Sequence, residues 1–121
     1  MNQPISPSRL LSRFVAYRVA LEAVRLVSVA SARWRGWAHL VDQARRAAVS
    51  VTHNLAEGNA HPPHSPERRR FRRIALGSAL ELEAALDIAV VAGLGDAAEL
   101  ASARAIAGRS AALCTALCRT R

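Results

Sequence analysis

Asn54, Glu57, Ser78 and Glu81 are the side chains whose types and spacing could do chemistry together. Two carboxylates near an amide and a hydroxyl are the raw material of general acid/base work, in which one group takes a proton and the other gives it. The same four residues also suit a structural network. Arg46 and Ser50 share a helical stripe with Asn54 and Glu57, so they are available to neutralise and hydrogen-bond the carboxylates. An unpaired polar group buried between helices costs roughly 1 to 3 kcal/mol, so a network of Arg46, Ser50, Asn54, Glu57, Ser78 and Glu81 that satisfies itself is the stronger expectation. Catalysis is the weaker one.

Cys114 and Cys118 lie four residues apart, on one face of a helix, and two histidines, His61 and His64, occupy a loop that would meet the same end of the molecule. Two thiols and two imidazoles can hold zinc tetrahedrally, but this spacing is neither a finger nor a ribbon pattern, and free cysteine is commonly a small buried apolar residue. No metal or cofactor is expected on that basis. Gly93-Leu94-Gly95 follows a helix, the wrong context for a dinucleotide loop, and no Ser/His/Asp spacing stands out, so the chain reads as non-catalytic.

The elements that must position these groups are all helical. Leu40, Ala44, Ala47, Val51 and Leu55 recur at three- and four-residue spacing and form one apolar stripe. On the next segment Phe71, Ile74, Ala75, Ser78, Leu82, Ala85 and Ala89 make the inward face, with Gly77 and Glu81 at its edge. Ser6-Pro7 predicts the start of a first helix over 7–32, and Leu11, Val15, Val19 and Leu26 add a second apolar line that predicts burial against another subunit. Gly36 turns the chain into a second helix over 37–59, which Pro62-Pro63 ends. Ser65-Pro66-Glu67 opens a third over 66–93; Gly93 and Gly95 close it, and Asp96 with Glu99 caps a fourth over 97–119. Short connections make sequential helices antiparallel neighbours, so the sequence predicts one all-α domain, an antiparallel up-down four-helix bundle.

The chain resembles the small bacterial four-helix-bundle proteins first named for intervening sequences in 23S ribosomal RNA. The residues that carry the likeness are Gln43, Arg45, Arg46, Ala47, Ala48 and Ser50, then Asn54 to Gly58, then Phe71, Ile74-Ala75, Gly77-Ser78, Glu81 and Leu86. The family pattern continues from its Glu-Gly pair into an aromatic or Gly-Arg turn, where this chain has Asn59-Ala60-His61-Pro62-Pro63-His64. The resemblance implies a ring-shaped homopentamer without catalytic activity. Relatives of the same fold serve diversity-generating retroelements as accessory proteins whose basic surface binds a reverse transcriptase and nucleic acid, and the resemblance extends both partners to this chain as expectations.

Composition supports an anionic partner. The 121 residues carry a net charge of +8, and the chain has no lysine, so all 17 basic side chains are arginine, which suits bidentate phosphate contact. Antiparallel order gathers Arg9, Arg13, Arg68, Arg69, Arg70, Arg72, Arg73, Arg119 and Arg121 at one end, with Glu81, Glu83, Asp87, Asp96 and Glu99 along the third helix and toward the other. A solvated helix turn would be the simpler reading of Arg68 to Arg73, yet arginine opposes the dipole in a helix's first turn, which leaves backbone contact with RNA or DNA as the expected role. Phe71 faces inward, so recognition by base stacking is not expected. The rival expectation is an adaptor that recruits a protein such as a reverse transcriptase. No run reaches the roughly 18 to 20 apolar residues of a membrane span. The opening MNQPISPSRLLSR lacks a leader pattern, so a cytoplasmic protein with reduced cysteines is expected.

Overall fold

A computed structural model describes residues 11–119. They are all-α, with no strand among them, and their main elements are α1 (Val15–Ser31), α2 (Ala38–Asn59), α3 (Pro66–Val91) and α4 (Ala97–Arg119). A helical stretch over 11–13 precedes α1 but does not run into it. The backbone turns extended at Phe14 (φ −83°, ψ 103°), so the continuous helix expected over 7–32 is interrupted there. Phe14 packs half-buried against a core cluster that includes Leu55 and Cys114, and tertiary packing overrides the helical periodicity.

The connections follow turn chemistry. Gly36 takes φ +84°, a left-handed value that suits a residue without Cβ, between α1 and α2. Ser65 caps α3 through its Oγ, which accepts from the Arg68 N–H at 3.2 Å, and Pro66 fills the first helical position. α3 stops at Val91, two residues short of the expected 93, because Gly93 (φ +67°) is the residue just past the cap. Its N–H donates to Val90 O and that of Leu94 to Ala89 O, which completes a Schellman motif. Asp96 Oδ1 accepts from the Glu99 N–H at 2.8 Å and opens α4.

α1 packs on α2, α2 on α3, α3 on α4 and α4 on α1. One core cluster joins late α1 (Val27, Ala30), early α2 (Leu40, Ala44), late α3 (Leu86, Ala89) and early α4 (Leu100, Ala103), with Trp34 from the first connection. The other joins Ala16 and Ala20 of α1, Val51 and Leu55 of α2, Ala75 and Ala79 of α3, and Ala111 and Cys114 of α4. Leucines such as Leu55, Leu82 and Leu86, each 1% exposed, contribute about 1.5 to 3 kcal/mol apiece, and the alanines between them allow close helix approach. At Gly58 the approach is close: a Cβ there would lie 3.4 Å from Phe71 Cβ.

Candidate nucleic-acid interface

The second core cluster brings the start of α1, the end of α2, the start of α3 and the end of α4 together. The arginines at this end do different work. Arg68 turns back onto the end of α2, its Nε donating to Gly58 O (3.2 Å) and His61 O (3.0 Å) and its NH2 to Asn59 O (3.3 Å). Arg69 donates to His64 O at 2.6 Å, across the loop residue that holds φ +66°. These two arginines are fastened to the backbone that precedes them. Arg72 is half-buried and its Nε meets no hydrogen-bond partner among the described residues; desolvation first, then the charge of Arg68, holds its guanidinium below the usual pKa.

Arg13, Arg70, Arg73 and Arg119 are exposed, and no described carboxylate pairs with them. Arg70 lies over the Phe71 ring at 5.7 Å. Phe71 is half-buried, not wholly inward as the sequence suggested, and it stacks on His61 with centroids 5.4 Å apart. Glu57 and Glu67 also sit at this end, but neither pairs with a described arginine. Arg9 and Arg121 lie outside the described residues.

The expected polar network forms in part. Ser50 and Ser78 share a hydrogen bond of 2.7 Å between α2 and α3, and Asn54 Nδ2 donates to Ser50 O (2.8 Å) and Oγ (3.1 Å). Arg46 stays outside it and pairs with Asp42 one turn earlier, at 3.0 Å. Glu57 and Glu81 are exposed and their carboxylates take no hydrogen bond from a described residue, because a carboxylate on the rim of a helix pair is better solvated by water than by a partner it must desolvate. Ile74, expected inward, is 37% exposed and belongs to the outer face of α3. Between α2 and α3 lies an open groove of about 430 Å³, lined by Gln43, Arg46, Ser50, Glu81, Ala84 and Ile88 among others. No described histidine or carboxylate hydrogen-bonds either serine.

The cysteines and loop histidines do not converge: among the described residues no three His, Cys, Asp or Glu side chains form a group that could hold a metal. Burial, and then the neighbouring Cys118, pushes the Cys114 thiol up to about 11, against a lowering hydrogen bond from Ser110. Burial also raises Cys118, opposed by the charges of Arg73 and Arg72, which face this end of α4 from α3. No described helix is long and apolar enough to cross a membrane.

Two features escaped sequence reasoning. Arg45 of α2 donates to Ser31 Oγ (2.9 Å) and Ser28 O (3.2 Å) at the end of α1, as Arg68 of α3 does at the end of α2. Trp34, in a connection, is 2% exposed and lies against Gly95. Arg45 reaches back to the end of α1 as Arg68 does to the end of α2, but the length of arginine leaves its target open to sequence reading. No curated protein matches the chain. A family model described as 23S rRNA-intervening sequence protein matches residues 15–115, from the first residue of α1 to the last turns of α4, and takes in the Ser50–Ser78–Asn54 bridge and the Arg68 clasp alike. Over that span the chain is a member of the 23S rRNA-intervening sequence protein family.

Proposed function

We propose that the chain is an antiparallel up-down four-helix bundle that assembles into a ring-shaped homopentamer and binds the backbone of RNA or DNA without catalysis, as a cytoplasmic accessory protein. The observation that carries this reading is the set of exposed arginines at one end, Arg13, Arg70, Arg73 and Arg119, left without carboxylate partners after Arg68 and Arg69 have been taken by the loop. Unpaired guanidinium groups on short helix ends suit phosphate contact, and a ring repeats them around one face. The helix pairings, and the alternation of early and late segments within each core cluster, support the bundle.

Binding of labelled RNA and DNA across a salt series tests it. Affinity should fall steeply with salt, and Arg70→Ala with Arg73→Ala should weaken binding to every sequence alike, reducing the salt slope by about 0.9 for each duplex phosphate that the variant no longer neutralises. Absence of binding at low salt would overturn the nucleic-acid reading in favour of an adaptor whose basic end receives a protein, such as a reverse transcriptase.

A further inference from the structure

The basic end of the bundle carries a set of flat groups that phosphate contact does not use. His61, in the connection between α2 and α3, stacks on the Phe71 ring of α3 with centroids 5.4 Å apart and planes 11° from parallel. The guanidinium carbon of Arg70 stands 5.7 Å from the centre of the same ring. His61 and Phe71 are half-buried and Arg70 is exposed, so the group reaches the surface, and among the described residues no second ring lies on His61.

The loop fixes His61 before any ligand arrives. Its N–H donates to Gly58 O at 3.1 Å, and its own carbonyl accepts from Arg68 Nε at 3.0 Å. Pro62 and Pro63 follow it with restricted φ, and the Ser65 N–H closes the turn on Pro62 O at 3.1 Å. Arg69 holds the carbonyl of His64, whose φ of +66° is uncommon for a residue with a Cβ. A ring ordered in this way loses little freedom when a flat ligand is laid on it.

Histidine, phenylalanine and the arginine plane are groups on which unpaired nucleobases stack, and a duplex keeps its bases away from them. A stacked base is neutral, so Glu67, one turn before Arg70, opposes it less than it opposes a phosphate. Arg73, one turn after Arg70, is exposed and pairs with no described carboxylate, which suits it to the backbone beside the stacked base. The geometry points to His61, Phe71 and Arg70 as a stacking platform for the unpaired bases of a single-stranded nucleic acid, with Arg73 on the adjoining phosphate. This rests on the nucleic-acid reading above and names its substrate class, reversing the expectation that Phe71 takes no part in recognition. Every base has a flat face, so the preference is for an unpaired strand and not for a sequence.

Fluorescence anisotropy with a labelled oligothymidylate tests this, beside a strand of the same length in which every nucleotide is an abasic tetrahydrofuran phosphate, both at one salt concentration. Wild type should bind the base-bearing strand at least about 5-fold more tightly than the abasic strand of equal charge. His61→Ala should remove most of that preference and His61→Trp should restore it, with melting curves showing both variants folded. Equal affinity of wild type for the two strands, a preference that survives in His61→Ala, or one that His61→Trp fails to restore would each overturn the platform while leaving backbone binding standing. Absence of binding to either strand would overturn both.

Discussion

Arg68→Ala should destabilise the protein while the same change at Arg73 should not, although both arginines belong to the same basic run. Arg68 supplies three hydrogen bonds to carbonyls at the end of α2, at 3.0 to 3.3 Å, from a half-buried position. Hydrogen bonds from a charged donor contribute about 1.5 to 3 kcal/mol when well formed. Here one N–H is shared between two carbonyls and the third bond is long, so the three together should be worth about 2 kcal/mol, including the favourable cation at a helix C-terminus. For a domain of this size that corresponds to a fall in Tm of about 8 °C. Urea titration at fixed protomer concentration should show a lower midpoint with an unchanged slope. Arg68→Lys should recover less than half of the loss, because an ammonium cannot span carbonyls that a planar guanidinium reaches together. Arg73→Ala, at the surface, should stay within about 0.5 kcal/mol of wild type. Equal stability of the Arg68→Ala and Arg73→Ala variants would refute the division of the run into a clasp and a free surface.

Gly93 and Gly95 share φ +67°, but only at Gly95 would a Cβ meet anything, the Trp34 ring at 3.0 and 3.1 Å. Gly93→Ala should therefore cost about 1 kcal/mol of left-handed strain and Gly95→Ala about 2 to 3 kcal/mol, read as denaturation midpoints; the reverse order would contradict the packing of Trp34. Cys114 is held protonated to about pH 11 in the fold, from an ordinary value of 9.0, so its contribution to stability is complete below pH 9 and disappears as pH rises through 11. Tm should fall between those values, and Cys114→Ala should flatten the fall; an unchanged slope would exclude Cys114 as its source.

What the sequence disclosed was mostly local. Ser65-Pro66 and Asp96 act as caps because a short polar side chain can reach only its own helix start, so position alone decides its partner. The Ser50–Ser78–Asn54 bridge was legible for the same reason, since short groups on facing stripes have few places to go. Arg46 was misassigned because a long side chain chooses among several carboxylates, and Asp42 on its own helix needed no ordering of a second element. Ile74 falls within helical spacing of the inward face that holds Phe71, Ala75 and Ser78. Its true register is the 74, 81, 88 line, which periodicity cannot separate from the core when both stripes carry apolar residues. The break at Phe14 left no mark, since Leu11, Phe14 and Val15 satisfy a helical pattern with or without it.

The first turn of α3 is where helix electrostatics and charge distribution conflict, because Arg68 and Arg69 lie where the dipole favours acids. The loop resolves part of that conflict. By folding back through Pro62 and Pro63 it brings the end of α2 within reach of the start of α3, so that Arg68 stands at the N-terminus of one helix while its charge sits at the C-terminus of another. Arg69 is drawn to the His64 carbonyl in the same way. Two of the five arginines in the run thus have a reason to exist in the fold alone, which lowers the weight that the run by itself can give to a nucleic-acid partner. Arg70 and Arg73 have less of one: they cap no helix end and pair with no described carboxylate, and both are exposed, Arg70 over the Phe71 ring. Any phosphate binding at this end should be sensitive to those two positions and nearly indifferent to Arg68 in protein that remains folded, so binding and stability should separate along a run of six residues.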